Sequence, residues 1–206
     1  GSGGIASSFS PATISAVVAV GGIIFRMFGK RSVHKNMGNI MLGFAVLMTG
    51  MQMMSAAVSP LRENQMFINM LTMFSNPLAG ILVGILFTAV LQSASATVGV
   101  LQALSVTGIL TFASTFPIVL GIGVGAACPV LISAIGANKN GKRTALVYLI
   151  NDLFGLIMWA VVFYSLNAVI HFTFMDQVMT PVSIALLNTV FRLVTVCILF
   201  PFINKI

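Results

Sequence analysis

The sequence predicts an all-α integral membrane protein with about five transmembrane helices and one re-entrant helical hairpin. Of its 206 residues, 58% are hydrophobic and only 6% are charged, whereas a soluble domain carries about a quarter charged residues. The apolar residues form long continuous runs rather than the alternating ten-residue strands of a membrane β-barrel. Because lipid offers the backbone no hydrogen bonds, such runs must fold as helices.

Five apolar runs have the length of a membrane span. They cover residues 10–28, 37–58, 114–136, 144–167 and 181–202. The shorter amphipathic segment 65–74 cannot cross, so we expect it at the membrane interface. The first four residues, Gly1–Gly4, have the composition of a tag or linker. The chain therefore divides into a lead-in at 1–9, two transmembrane helices at 10–58 and a hairpin-containing unit at 59–206.

The hairpin is predicted from two apolar runs that are too short to cross separately. They cover 78–91 and 98–110, and each is shorter than the roughly 20 residues that a spanning helix needs. The polar segment Gln92–Thr97 joins them. Two short helices joined by a polar turn are typical of a segment that enters and leaves the membrane on one side.

The basic residues give an orientation and exclude one class of partner. The net charge of +7 lies mostly in short connections, without a basic face interleaved with aromatic residues, so nucleic acid is not an expected partner. The positive-inside rule places the loops 29–36 and 138–143 in the cytoplasm of a multi-pass cell-membrane protein. Eight of the ten basic residues are then cytoplasmic: Arg26, Lys30, Arg31, Lys35, Lys139, Lys142, Arg143 and Lys205. Counting the hairpin as one full crossing would put the second loop outside, so the charge rule also favours re-entry.

Polar side chains within the membrane are the candidates for function. Gln92, Ser93, Ser95 and Thr97 supply carbonyl and hydroxyl oxygens, which hard cations such as Na⁺ prefer. The freed backbone at a hairpin tip adds carbonyl groups for a cation and N–H groups for an anion. The alternative is a polar contact between helices, since Ser and Thr often serve that purpose in membranes.

The glycine-rich segment Gly121–Pro129 is expected to interrupt its span. Gly121-x-Gly123-x-Gly125 lacks the strand and the following acidic residue of a dinucleotide fingerprint. Backbone carbonyls of a channel filter are conceivable, but close helix packing through small residues is the simpler interpretation. The three acidic residues and two histidines are scattered, so neither an enzyme nor a bound cofactor is expected.

The segment from Asn76-Pro77-Leu78 to Gln92-Ser93-Ala94-Ser95-Ala96-Thr97 resembles the Na⁺/phosphate cotransporter family, the type II group and its bacterial relatives. The family signature is Gln-Ser-Ser-Ser-Ala-Thr after an Asn-Pro-Leu start. Gly136–Lys139 and Asn151–Gly155 also resemble family segments, and the similarity extends over nearly the whole chain from about Ser10. The resemblance implies half of an inverted-repeat transporter, namely the second repeat. A first-repeat half, in the same natural chain or in a second copy, is then an expected partner.

The chain departs from the family pattern at several positions. Ala94 replaces the middle Ser, and 121–126 read Gly-Ile-Gly-Val-Gly-Ala where the family has Gly-Ala-Asn-Ile-Gly-Thr. Asp152 and Arg192 stand where the family usually has Asn, which predicts an intramembrane ion pair because a lone charge in a span is costly. The alternative is that Asp152 faces the transport cavity alone while Arg192 extends to an interface.

These observations favour a sodium-coupled secondary transporter of inorganic phosphate or a similar small anion. Gln92, Ser93, Ser95, Thr97, Asn151 and Asp152 are the expected substrate and ion ligands, with Ser93, Ser95 and Thr97 as candidate ligands of the coupling Na⁺. The alternative is a degenerate, non-transporting module of the same fold that assembles with or regulates another membrane protein. A channel is the third candidate.

Overall fold

The computed structural model describes residues 10–202, without the side chains of 11, 61, 62, 71 and 72, and its regular elements there are helices. The α-helices are α1 (Pro11–Phe28), α2 (Ser32–Val58), α3 (Gln65–Met73), α4 (Pro77–Leu91), α5 (Ala94–Ser105), α6 (Phe112–Ala134), α7 (Lys139–Ile170) and α8 (Pro181–Leu199). Short 3₁₀ helices cover Ser59–Glu63, Thr173–Asp176 and Phe200–Phe202. The all-α prediction is confirmed for these residues, and the lead-in at 1–9 lies outside them.

Within residues 10–202, four helices are long and apolar enough to cross a membrane, which makes the chain an integral membrane protein. They are Ser32–Val58, Phe112–Ala134, Lys139–Ile170 and Pro181–Phe202. The first helix is apolar but falls among the shorter segments, together with α4 and α5. The structure therefore supports four spans, and the fifth stays a prediction.

The predicted interruption at Gly121–Pro129 is wrong, because α6 is one continuous helix from Phe112 to Ala134. A capping box at its start, in which Thr111 and Ser114 bond each other's backbone N–H, fixes its first turn. Glycine lowers helix propensity, but tertiary packing along the same stretch overrides that preference.

The predicted loops are also shorter than expected. Lys139 to Arg143 form the first turns of α7, since the Asn138 side chain accepts a hydrogen bond from the Gly141 N–H at 2.9 Å and caps the helix. In the first connection only Gly29–Arg31 lie outside helices. Lys30 and Arg31 therefore lie between two helices, whereas the other basic residues of these two connections lie on helix ends: Arg26, Lys35, Lys139, Lys142 and Arg143. The side of the membrane on which they lie stays a prediction.

The contacts divide the chain into two compact units between Val58 and Ser59. In the first unit, α1 and α2 pack as an antiparallel pair in which a Cβ added at Gly38 would lie 2.7 Å from the Gly22 carbonyl oxygen. Polar contacts reinforce this pair: the Arg26 guanidinium donates to the Asn39 side-chain oxygen. The Gln52 amide donates to the Ser15 hydroxyl at 3.3 Å.

The second unit is built around α6, which is its most buried span. Helix α4 lies against it in parallel, with pairs at Gly80–Pro117, Gly84–Gly121 and Thr88–Gly125, each four residues further along both helices. A Cβ at Gly121 would collide with the Ile81 carbonyl oxygen, and one at Gly125 would lie 2.7 Å from the Thr88 Cβ. The close-packing interpretation is therefore confirmed for Gly121 and Gly125.

This register determines the course of the hairpin. Because α4 and α6 run in parallel, α5, which lies between them in the sequence, must run back toward the end at which both begin. Extending the four-residue register places Gln92 opposite Pro129, five residues before the last residue of α6, Ala134. The tip thus lies roughly 7 Å short of the end of α6, at 1.5 Å per residue. A tip inside the length of a spanning helix supports re-entry.

The opposite end of the second unit is held by backbone and aromatic contacts. The Phe112 N–H donates to the Gln177 carbonyl at 3.0 Å, and the Met179 N–H donates to the Leu110 carbonyl at 2.8 Å. Phe112 and Phe116 stack with ring centroids 5.5 Å apart. Their neighbours in the aromatic cluster are Phe163, Tyr164, Phe172 and Phe174. These contacts tie the start of α6 to the connection between α7 and α8.

The α4–α6 contact generates a stability prediction. Gly121→Ala should lower the free energy of unfolding by about 1–3 kcal/mol, because the added methyl group meets backbone rather than a movable side chain. Gly43→Ala in α2 is the matched control, since no atom beyond its chain neighbours and the nearby backbone of its own helix lies within 4 Å of the added Cβ. It should be neutral or stabilising by up to about 1 kcal/mol. Thermal unfolding of the detergent-solubilised protein measures both. Equal effects would contradict the packing described.

The return of α5 predicts membrane sidedness. In a background lacking Cys128 and Cys197, exposed cysteines at Ser75 and Val106 should react with an impermeant maleimide from one side. A cysteine at the exposed Ile135, beyond α6, should react from the other side. If Ser75 and Val106 react from opposite sides, α4 and α5 form a single broken crossing and the hairpin is wrong.

Candidate functional site

The hairpin tip is formed by two residues between α4 and α5. Gln92 adopts the left-handed conformation with φ 54°, and its N–H donates to the Thr88 carbonyl at 2.7 Å. This conformation costs a residue with a Cβ about 1–2 kcal/mol. It ends α4 abruptly, so Ser93 can begin a new helix at once.

Ser93 organises the polar groups of the tip. Its hydroxyl accepts from the Ala96 N–H at 3.2 Å and lies 3.2 Å from the Ser95 hydroxyl. Its carbonyl accepts from the Thr97 hydroxyl at 3.0 Å. Thr97 is only 1% exposed, whereas Gln92 and Ser95 are exposed and Ser93 is half-buried. The structure therefore brings the four predicted tip residues together, with Thr97 turned inward.

The first turn of α5 also presents backbone donors. The N–H groups of Ala96 and Thr97 are used by Ser93. The preceding N–H groups, of Ala94 and Ser95, have no partner within a helix because they belong to its first turn. They lie at the positive end of the helix dipole, which favours an anion. The tip thus combines N–H donors with hydroxyl and amide oxygens within a few residues.

Thr88 is a residue of the tip region that the sequence did not single out. It lies one helical turn before Gln92, is fully buried, and its hydroxyl has no hydrogen-bond partner among the described residues. A threonine within an apolar run gives no sequence signal of this kind. Its unpartnered hydroxyl extends the polar character of the tip into the α4–α6 contact.

A second polar cluster surrounds Asp152 on α7. One carboxylate oxygen accepts from the Asn151 amide at 3.4 Å, and the other is buried without a hydrogen-bond partner in the described chain. Arg192 and Thr195 of α8 and Gly155 of α7 line the same cavity, whose volume is about 50 Å³. A polar cavity of this size can hold water.

The predicted direct contact between Asp152 and Arg192 is not formed by hydrogen bonding. The Arg192 Nε donates instead to the Asn188 side-chain oxygen at 3.3 Å, one turn earlier on its own helix. Both residues line the same small cavity, which is formed by α7 and α8. An electrostatic pairing through the cavity stays a prediction.

Helix α6 separates the two clusters. Gly123 is the α6 residue that faces Asp152, with a 3.9 Å distance from an added Cβ to the carboxylate. At 100° per residue, Gly123 points about 160° away from Gly121 and Gly125, which face α4. The level of Gly123 is also roughly 9 Å from that of Pro129, opposite the tip. Asn151 and Asp152 are therefore not brought together with Gln92–Thr97.

The sequence shows the charges of the second cluster but not the contacts between α7 and α8 that bring them together. Trp159 donates to the Thr195 hydroxyl at 3.1 Å, and a Cβ added at Gly155 would lie 3.0 Å from the Thr195 methyl group. These contacts join α7 to α8 beside the cavity. Small and hydroxyl-bearing residues are common in membrane helices, so their sequence alone does not identify the helix that they contact.

Comparison with known proteins gives a family match over most of the chain. The profile of the family described as Na⁺/Pi-cotransporter matches residues 47–187. These residues include the tip and the α7 side of the second polar cluster, with Asn151, Asp152 and Gly155, whereas Arg192 and Thr195 of α8 lie beyond them. No solved structure matches the chain.

Two distant bacterial relatives extend this comparison. YqeW of Bacillus subtilis (strain 168), an uncharacterized protein, is 23% identical over 189 residues, which are 91% of this chain and 60% of that protein. The Escherichia coli (strain K12) protein named "Putative inorganic phosphate export protein YjbB" is 23% identical over 152 residues. That match covers 73% of this chain and 28% of the relative. The chain thus spans less than two thirds of the length of either relative.

The shared cavity predicts energetic coupling between Asp152 and Arg192. Asp152→Asn and Arg192→Asn should each destabilise the solubilised protein, because each leaves one charge facing the cavity alone. The loss of unfolding free energy in the double variant should be smaller than the sum of the two single losses by about 0.5–3 kcal/mol. Thermal unfolding of all four forms measures this term. Lys142→Gln, at an exposed position, is the control and should show additive effects with Asp152→Asn.

Proposed function

The chain belongs to the Na⁺/Pi-cotransporter family, and from this membership we propose that it acts in sodium-coupled transport of inorganic phosphate or a similar small anion. The observation that carries the proposal is the hairpin tip. It combines a helix start, two exposed polar side chains and a set of oxygen ligands. It also lies within the length of the spanning helix α6.

The anion is proposed to meet the start of α5. The N–H groups of Ala94 and Ser95 and the positive helix end attract negative charge without requiring a basic side chain. The Gln92 amide nitrogen can add one donor, because Gln92 is exposed at the tip. A site of donors without a fixed charge favours release as well as binding, as a transporter requires.

The coupling Na⁺ is proposed to use oxygens of the same tip. The Ser93 and Ser95 hydroxyl oxygens are 3.2 Å apart, so one cation could contact both, and the Gln92 side-chain oxygen is nearby in sequence. Thr97 donates its proton to the Ser93 carbonyl and is only 1% exposed, so its oxygen is a less accessible ligand than the hydroxyl oxygens of Ser93 and Ser95. Adjacent ion and anion sites would attract each other, and this attraction couples their binding.

A first-repeat half is proposed to cover the tip. Exposed polar groups at membrane depth are costly unless water or protein satisfies them. Gln92 and Ser95 are exposed in the described chain, so a second polar surface, from further chain or another copy, would complete the site. Asn151 and Asp152 are proposed to act from the far side of α6, as a separate polar site.

A non-transporting module of the same fold is the second candidate. Ala94 in place of the family serine removes one hydroxyl from the tip, and the Asn and Thr of the family segment at 121–126 are absent. These losses favour a protein that assembles with or regulates another membrane protein. Phosphate flux separates the two functions.

Reconstituted vesicles test the proposal. Radiolabelled phosphate flux should depend on an imposed Na⁺ gradient and fall to background when K⁺ replaces Na⁺. Flux should be followed in both directions, because the name of the relative YjbB refers to export. A protein that includes the first-repeat half, folds and reconstitutes, but moves no phosphate with either cation would favour the non-transporting module.

Gln92→Ala tests the tip itself. It should reduce Na⁺-dependent flux at least about tenfold, since losing a hydrogen bond to a charged group costs about 1.5–3 kcal/mol. Gln65→Ala, which removes the same amide from an exposed position on α3, should leave flux unchanged. Unchanged flux in Gln92→Ala, with normal thermal unfolding, would remove Gln92 from the site.

A further inference from the structure

An apolar cleft lies between α7 and α8, at the end of the second unit where α7 begins. Its volume is about 640 Å³, which is within the usual range of small-molecule sites. The apolar side chains that form most of its wall are Val147, Ile150 and Phe154 of α7 and Val196, Leu199 and Phe200 of α8. A space of this kind in a membrane protein is filled by apolar matter rather than by water.

Basic side chains continue the α7 wall of the cleft. Arg143, Val147, Ile150 and Phe154 follow one another at spacings of four, three and four residues, which places them along one face of α7. Lys139 lies one further turn toward the start of the same face. Both basic residues are exposed. The face therefore changes from apolar to cationic at the mouth of the cleft.

The length of this face matches one leaflet of a bilayer. Arg143 and Phe154 are eleven residues apart, which is roughly 16 Å along a helix. One half of the hydrocarbon core is about 15 Å thick. A lipid chain that lies in the cleft would therefore have its headgroup beside Arg143 and Lys139, where an anionic group is favoured.

We propose that the α7–α8 cleft binds an acyl chain of an anionic phospholipid, with the phosphate headgroup held by Lys139 and Arg143. Basic pockets between membrane helices are suited to such headgroups. A second copy of this chain fits less well, because its own cationic helix ends would be brought against these two charges in a protein of net charge +7. The lipid site requires no transport activity and is independent of the proposed function.

Native mass spectrometry of the detergent-purified chain tests the site. With phosphatidylglycerol the spectrum should show one lipid retained at higher affinity than phosphatidylcholine of the same chain length. Lys139→Gln and Arg143→Gln should each weaken phosphatidylglycerol retention about five-fold. Lys142→Gln is the matched control: it removes the same charge from the neighbouring exposed position, one residue away from the cleft face. It should have little effect.

A pair of tryptophan variants distinguishes binding of the acyl chain in the cleft from general attraction of the headgroup to basic residues. Val147→Trp occupies the cleft and should abolish the selective retention of one lipid. Leu146→Trp adds the same ring at an exposed neighbouring position that does not line the cleft, and it should retain the lipid.

Three results would overturn the lipid site. One is equal retention of the two lipids, and another is equal effects of Arg143→Gln and Lys142→Gln. The third is loss of a dimer in Val147→Trp without change in lipid retention, which would assign the cleft to a second copy. Thermal unfolding of each variant verifies that it is folded.

Discussion

The parallel contact between α4 and α6 is the interaction on which the rest of the second unit depends. Gly80, Gly84 and Thr88 meet Pro117, Gly121 and Gly125 in a register that leaves no room for larger side chains. Helices that approach this closely gain dispersion energy, which in lipid must replace the hydrophobic effect as the source of association. Because the contact is parallel, α5 is forced to return, and the polar tip is held within the length of α6.

The polar groups of the tip need hydrogen-bond partners, and the described chain supplies partners for only some of them. The Ser93 hydroxyl accepts a hydrogen bond from the Ala96 N–H. The Ser93 carbonyl accepts from both the N–H and the hydroxyl of Thr97. These bonds stabilise the start of α5 itself. Gln92 and Ser95 remain exposed, so their hydrogen bonds must come from water, solute or further protein. A turn that only joins two helices needs no more than the cap that Ser93 provides. The exposed side chains of Gln92 and Ser95 go beyond that need, and they make the tip a candidate site.

Sequence reasoning predicted local features well and orientations poorly. The apolar run 78–91 predicted α4, and the structure adds its start, where Asn76 caps the helix and Pro77 occupies the first turn. The four tip residues are close in space because they are close in sequence. Asp152 and Arg192 are predicted to pair because each is a charge within a span, but the cost of a lone charge does not determine the direction of a side chain. The bond from Arg192 to Asn188 on its own helix is a competing local interaction that this argument does not include.

The glycine run of α6 illustrates why a motif must be interpreted on its helix. Glycines two residues apart point to nearly opposite faces, so Gly121 and Gly125 cannot share a role with Gly123. An added methyl group would collide with α4 at Gly121 and lie too close to it at Gly125, yet at Gly123 it would make only ordinary contact with Asp152, at 3.9 Å. Two of the three glycines are therefore required by packing, and the third is not. A filter built from successive carbonyls would need an unwound backbone, whereas α6 is a continuous helix here. Gly121 and Gly125 accordingly form a helix-packing surface that faces α4, whereas Gly123 lies on the opposite face of the same helix, beside the polar cluster around Asp152.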